Sequence, residues 1–388
     1  MALVRDRFLL GRALAVAVLV IVAVLSPVGA GRSVTAQAGI ILSSSVQASF
    51  PNSLTFKVHA QSDSNVIQLR LHYKVDRQNF ADVTSEGWAV FTPAKTVDSQ
   101  WVWDMRKSGL PPGAQVEYWW TALDAGNKTA ETAHATVSFD DTRHIWQTIT
   151  TSPIVLEWYN GNQSFANALM TAGQQGLQRI ETDTDAIPQG NVTIYIYASA
   201  QDLQSAQLFA QQWEGGVTFQ GYDIIAVGVA TSQLSYGQRA VPHELTHWIV
   251  GQITFNDYGA GLPTWLDEGL ATYGEGPLNP QYQSALNFAI QNNQLLSVRT
   301  LSSPFSADAQ TAYISYGESN SIVTFMIDTY GKAKMRELLG VFQEGSGYDE
   351  ALLQVYGFDQ DGLDALWKKS LGLTSALLPE PDVVIAAG

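Results

Sequence analysis

His243 and His247 lie four residues apart with Glu244 beside the first, in the pattern H-E-x-x-H. Residues four apart on a helix share a face, so the two rings can present nitrogens to one point. A zinc ion at such a point takes neutral imidazoles at about 2.0–2.1 Å. Glu244, one residue round the helix, stands beside that point rather than on it. There it can take a proton from water that zinc has acidified to a pKa of about 7. The plainer reading is an ordinary polar helix face, and the composition weighs against it. Of the six histidines in the chain, these two are the sole ones after His144. The flanking Val241, Leu245, Trp248, Ile249 and Val250 suit a buried helix with one polar stripe. Burying two imidazoles and a carboxylate without partners is costly, and a metal removes that cost.

A third ligand must come from elsewhere. An extended H-E-x-x-H-x-x-G-x-x-H pattern would need Gly and His where Val250 and Ile253 stand, so that branch is excluded. The chain has no cysteine, which leaves a carboxylate from a second helix. Downstream stands P-T-W-L-D-E-G-L-A-T-Y, Pro263–Tyr273. With the first motif, it resembles the gluzincin metallopeptidases of the peptidase MA clan, the thermolysin and aminopeptidase N type. Their third ligand is a Glu on a helix beginning N-E-A or W-L-N-E-G-x-A, roughly twenty residues after the second His. The resemblance implies Glu268 as the third ligand of a single Zn2+ ion, with Glu275 as a weaker substitute. Gly259-Ala260-Gly261 would absorb the slightly longer spacing in a loop. Asp267 has two readings, an outer-shell carboxylate orienting a ligand histidine or a helix cap.

The run Y-G-E-S-N-S-I-V-T-F-M-I-D-T-Y-G, Tyr316–Gly331, reads as a long apolar-periodic helix ended by Gly331. It resembles the Y-x-x-S-x-x-x-V helix of bacterial aminopeptidase-like gluzincins, in which a tyrosine points at the metal. Tyr316 is therefore the candidate oxyanion donor, with Tyr313 second and a plain core tyrosine as the competing reading. Gly216-Val217-Thr218-Phe219-Gln220 falls where exopeptidase members carry G-x-M-E-N on an edge strand that pairs with extended substrate. It lacks the glutamate that anchors a free amino terminus. Endopeptidase action is thus expected over aminopeptidase action.

The elements that must position these residues follow from periodicity. From about Ile40 to Asp141 short alternating runs are separated by turns, the mark of a β-sandwich. The runs are Leu54–Ala60, Val66–Tyr73, Ala89–Phe91, Gln100–Trp103, Val116–Thr121 and Ala135–Phe139. The stretch around Pro111–Asn127 resembles an immunoglobulin or fibronectin type III strand–turn–strand. Trp101, Trp103, Trp119 and Trp120 read either as core and surface aromatics or as a carbohydrate-stacking platform. The register changes near Thr142–Ser152. Strands at Ile154–Tyr159, Val192–Tyr197, Gly215–Phe219 and Asp223–Val229 then alternate with helices at Phe165–Glu181 and Ala200–Gln212. Beyond Glu268 the chain reads as helical, with further helices at Tyr282–Gln294, Lys334–Gln343 and Leu363–Leu371. The expected class is α+β: a β-sandwich over 39–141, then a zincin-like domain over 146–376 with a mixed sheet, an active-site helix and a helical C-terminal half.

Arg5, Arg7 and Arg12 precede an apolar run, Ala13–Leu25, and Ala36-Gln37-Ala38 forms an A-x-A-like cleavage site. Residues 1–38 thus read as a secretory signal, with Ala30 as a second cleavage candidate and an uncleaved membrane anchor as the alternative. Residues 377–388 read as a loose tail. The net charge of −15 argues against a nucleic-acid partner, which attracts basic surfaces. The expected function is an exported or cell-envelope zinc-dependent peptidase acting on peptide or protein substrates, with oligomeric state open. The alternative is a non-catalytic surface protein that binds through its β-domain.

Overall fold

The computed structural model describes residues 34–35, 39–77, 81–107, 109–208, 215–256 and 258–373. The leader assigned to residues 1–38, apart from 34–35, and the tail assigned to 377–388 lie outside these. No helix among the described residues is long and apolar enough to cross a membrane.

The chain is α+β, with strands throughout its first part and helices through its last. The first eight strands are β1 (Val34–Thr35), β2 (Ile40–Ser49), β3 (Ser53–Val75), β4 (Ser85–Trp88), β5 (Ala94–Asp104), β6 (Gln115–Asp124), β7 (Thr129–Glu131) and β8 (Ala135–Ser138). Their hydrogen bonds form one continuous antiparallel network rather than two separate sheets. The reason is β3. The runs at Leu54–Ala60 and Val66–Tyr73, expected as separate strands, join into a single strand of 23 residues. Its first half pairs with β2 and β5, its second half with β4 and β6, and the register shifts between Gln61 and Val66. Strand β1 pairs with β2 through Val34↔Leu42 and Thr35↔Ile41, so cleavage after Ala38 would remove it and cleavage after Ala30 would keep it.

Ala89–Phe91, expected as a strand, is not one: β4 ends at Trp88, and the segment runs on with Ala89 and Phe91 packed against the core and Val90 92% exposed. The four tryptophans do not form an open platform. Trp103 and Trp120 are buried and Trp101 packs against the same core. Trp119 is clamped between the rings of His72 and His134 at 5.3 and 4.0 Å.

A second sheet of five strands follows: β9 (Gln147–Thr151), β10 (Ile154–Trp158), β11 (Val192–Tyr197), β12 (Gly216–Phe219) and β13 (Ile224–Gly228), in the order β12-β13-β11-β10-β9. The inner three are parallel and the two edges antiparallel. Every residue of β13 is buried, as a central parallel strand covered on both faces requires. The core of the first sheet extends onto this one, taking in Tyr197 and Ala226 together with Leu203. Asp141, buried at the junction, accepts from the Tyr197 hydroxyl at 3.1 Å.

Helix α1 (Gln163–Thr184) makes the crossover from β10 to β11 and is capped by Asn162, whose side chain accepts from Phe165 N. Helix α2 (Ala200–Ser205) is shorter than the Ala200–Gln212 expectation. Helix α3 (Leu234–Thr254) carries the H-E-x-x-H residues and buries Val241, Leu245, Trp248 and Ile249. It contacts α1 closely because α1 offers glycines there. A Cβ on Gly176 would stand 2.3 Å from the Cβ of Pro242, and one on Gly173 would stand 3.0 Å from Leu245. Helix α4 (Thr264–Gly274) carries Asp267 and Glu268. The remainder is α5 (Pro280–Gln291), α6 (Val298–Leu301), α7 (Ala309–Tyr330), α8 (Lys332–Gln343), α9 (Tyr348–Tyr356) and α10 (Gln360–Ser370). Two of these, α6 and α9, are additional to the helices read from periodicity, being too short to show a sustained period. Helix α7 starts earlier than expected, at an Asp308 cap that accepts from Thr311 N, and ends at Gly331 with φ 83°.

Candidate metal centre

Helices α3 and α4 bring His243, His247 and Glu268 to one point. The two Nε2 atoms are 3.2 Å apart. Glu268 Oε2 is 3.3 Å from His243 Nε2 and 3.6 Å from His247 Nε2. Tetrahedral ligands at about 2.0–2.1 Å from zinc stand about 3.4 Å from one another, which is the size of this triangle. Glu268 Oε2 is also buried without a hydrogen-bond partner. A buried carboxylate oxygen in that condition is costly unless something positive meets it. The donor set, two imidazoles and a carboxylate, therefore fits a metal ion, and among the described residues it is the one such cluster.

The second nitrogen of each ring faces a carboxylate. His243 Nδ1 lies 2.9 Å from Glu275 Oε1, and His247 Nδ1 lies 3.0 Å from Asp267 Oδ1. A proton donated from each Nδ1 leaves each Nε2 lone pair directed at the shared point. Glu275 therefore stands behind His243 and not in the ligand triangle, which corrects its reading as a substitute for Glu268. Its other oxygen meets Arg239 Nη1 at 3.2 Å, and Arg239 also reaches the Pro277 carbonyl at 3.0 Å. A carboxylate eight residues beyond Asp267 on the same helical segment had no sequence signal of this role.

Gly269, immediately after Glu268, explains how α4 is seated. A Cβ there would stand 2.6 Å from the backbone oxygen of Ser319 on α7. Only glycine permits that approach. At the other end of α4, a Cβ on Gly274 would meet Thr246 Oγ1 at 2.1 Å. The W-L-D-E-G glycine is thus a packing requirement of two helices.

Glu244 is buried beside the triangle without joining it. Thr218, on the edge strand β12, places its Oγ1 2.8 Å from Glu244 Oε2 and 2.9 Å from the Glu244 carbonyl. Gly216 on the same strand leaves room for that carboxylate, since a Cβ there would stand 2.6 Å from Oε1. Burial raises the Glu244 pKa against the lowering influence of His247, His243 and the Thr218 bond. Burial likewise pulls Glu268 upward, but the two imidazoles outweigh it and hold that carboxyl well below its usual range. Thr218 and Gly216 precede Glu244 by more than twenty residues in no fixed pattern, so the sequence carries no signal of their contact with it.

Tyr316 lies near the same point, its ring centroid 6.4 Å from that of His243. It is stacked on Tyr282 at 5.1 Å and meets Phe305 edge-on at 5.2 Å. Burial, followed by the field of Glu268, raises its pKa, so the phenol keeps its proton and remains a donor. Tyr313 is 40% exposed and packs on Tyr282 at 5.6 Å. Tyr236, two turns before His243 on α3, was not anticipated. Its hydroxyl would stand 2.0 Å from a Cβ on Gly215, just ahead of β12.

An α+β chain with a two-helix His-His-Glu triangle and a carboxylate beside it has the architecture of a metal-dependent hydrolase of the zincin kind. The peptidase MA superfamily profile matches residues 172–372, more than half of the chain. The chain belongs to the peptidase MA superfamily, whose function is of the metallopeptidase type. No match was found among curated proteins. Among solved structures, an aminopeptidase N family protein from Idiomarina loihiensis is 8% identical, with 84% of this chain and 70% of that one covered and a TM-score of 0.27. A polysaccharide deacetylase from Bacillus cereus is 10% identical over 50% of this chain and 65% of that one, with a TM-score of 0.20. The bromine derivative of BhCBM56 is 14% identical over 28% of this chain and 99% of that one, also at 0.20. At such TM-scores these likenesses bear on neither fold nor function.

Proposed function

We propose that the chain is an exported zinc metallopeptidase that hydrolyses internal peptide bonds of peptide or protein substrates. The observation that carries the reading is the 3.2–3.6 Å triangle of His243, His247 and Glu268 with an orphaned Glu268 oxygen. Zinc held there would polarise a substrate carbonyl and acidify water. Glu244, out of the triangle and tied to Thr218, takes the proton of the attacking water and passes it to the leaving amine. The Tyr316 phenol donates a hydrogen bond to the carbonyl oxygen as negative charge builds on it. Asp267 and Glu275 hold the two imidazoles in register.

Endopeptidase action rests on β12, which has no carboxylate to receive a substrate amino terminus. At its end Gln220 Nε2 instead meets the His247 carbonyl at 3.3 Å. An extended substrate would add to the outer edge of β12, the terminal strand of its sheet among the described residues. Export rests on the basic and apolar residues of the first 38 positions, and residues 39–141 are read as an immunoglobulin- or fibronectin III-like module. The rival, a binding protein using the zincin fold as scaffold, has no use for a buried Glu244 oriented by Thr218.

The test uses the chain from Gly39 onward, assayed for zinc content and for cleavage of a quenched peptide library with and without chelator. Glu244→Gln is expected to retain zinc and lose about 10²- to 10⁴-fold in kcat, the range of general acid–base contributions. A Glu244→Gln variant as active as the parent would refute the assignment.

A further inference from the structure

Helix α7 meets α5 at Gly317, next to Tyr316. A Cβ on Gly317 would stand 2.7 Å from the backbone oxygen of Tyr282. That close approach is open only to glycine, and it lays the Tyr282 ring on Tyr316 at 5.1 Å with 15° between planes. Tyr313, one turn earlier on α7, also packs on Tyr282, at 5.6 Å, and Phe305 packs on Tyr316. Three separate segments thus converge in one aromatic wall whose inner ring lies 6.4 Å from His243. The wall is only partly covered: Tyr313 is 40% exposed and Tyr282, Tyr316 and Phe305 are half-buried.

Resting on the peptidase reading of the same site, we infer that this wall selects substrates with a large apolar, preferentially aromatic, side chain next to the scissile bond. Ring-on-ring contact and removal of apolar area from water favour such a side chain. Tyr282 and Tyr313 are specificity determinants, and Gly317 is the positioning residue that seats Tyr282.

The experiment has two arms on the zinc-loaded chain. In the first, kcat/KM is compared for matched peptides bearing Phe, Ala or Asp at each position flanking the scissile bond. Phe is expected to exceed Ala by about tenfold or more at one of the two positions, within the range that pocket contacts supply. Tyr313→Ala and Tyr282→Ala are each expected to shrink the Phe-to-Ala ratio severalfold, as is Gly317→Ala. In the second arm, binding of the same peptides to Glu244→Gln is measured by calorimetry, with the same order expected. A flat or acid-preferring order in cleavage or binding overturns the inference. If nothing is cleaved, the peptidase reading fails, and the order of binding still decides whether the wall selects aromatic ligands.

Discussion

Thr218 Oγ1 lies within hydrogen-bond distance of both the backbone carbonyl and the Oε2 of Glu244, at 2.9 and 2.8 Å. One hydroxyl on an edge strand thereby fixes the height of the metal helix beneath it and the direction of its free carboxylate. A bond to an ionised carboxylate lowers its pKa, so Thr218 works against the burial that raises Glu244. In Thr218→Val the hydrogen-bond part of the opposition is gone, with that of His247 and His243 left, and the Glu244 pKa rises further. The acid limb of the pH profile of kcat/KM should move to higher pH, with kcat down about tenfold, the equivalent of about 1.4 kcal/mol, and zinc content unchanged.

Gly216→Ala should strike the same carboxylate by bulk alone. The new Cβ would stand 2.6 Å from Glu244 Oε1, and a distance under van der Waals contact forces one group to move. Expected is loss of most activity in a protein that still folds and still binds zinc, read from peptide cleavage beside metal analysis.

The two outer carboxylates differ in their surroundings. Glu275 is 7% exposed and tied to Arg239, whereas Asp267 is 41% exposed. Removing either should weaken zinc by about 10- to 100-fold, the usual range for a group that orients a ligand histidine. Glu275→Gln should be the more damaging, since it also leaves Arg239 without its charge partner. Zinc competition with a chromophoric chelator measures both, and a Glu275→Gln affinity equal to the parent's would remove Glu275 from the centre.

Zinc and protons compete for the histidines. In the zinc-free chain burial opposes a charge on His243, but Glu268 and Glu275 outweigh it and raise its pKa from 6.5 to about 10. A raised imidazolium pKa contributes stability that is complete below the unfolded value of 6.5 and is lost as pH climbs through about 10. The lowered Glu268 pKa contributes stability that is present above 4.5 and lost as pH falls through its low folded value. Because zinc takes neutral imidazoles, its binding should release protons. The melting temperature of the chelated protein should therefore fall between pH 6.5 and 10 while the zinc-loaded protein changes less. Calorimetric titration in buffers of different ionisation enthalpy counts the protons.

Gly269→Ala tests the seating of α4. With 2.6 Å between the added Cβ and the Ser319 oxygen, α4 or α7 must shift. Overpacking of this kind costs about 1–3 kcal/mol, and the shift moves Glu268. Denaturant unfolding should show the loss of stability, and zinc affinity should fall with it.

Much of the molecule can be read from residue order alone. Spacing four on a helix puts His243 and His247 on one face whatever the rest of the chain does, because that follows from helical geometry. The motif at Pro263–Tyr273 points to Glu268, and alternation separates a strand-rich first part from a helical last part. These are local signals, carried by nearby residues. The tertiary structure decided the rest. It put Glu275 behind His243 instead of in the ligand triangle, and brought Thr218 and Gly216 against Glu244. It merged two strand runs into β3, and laid Tyr282 on Tyr316. Each of these depends on how two distant segments approach, and in several cases on a glycine whose missing Cβ sets the distance. Periodicity and motif spacing report which face of an element is buried, but not which partner arrives there. That choice is made when the whole core packs.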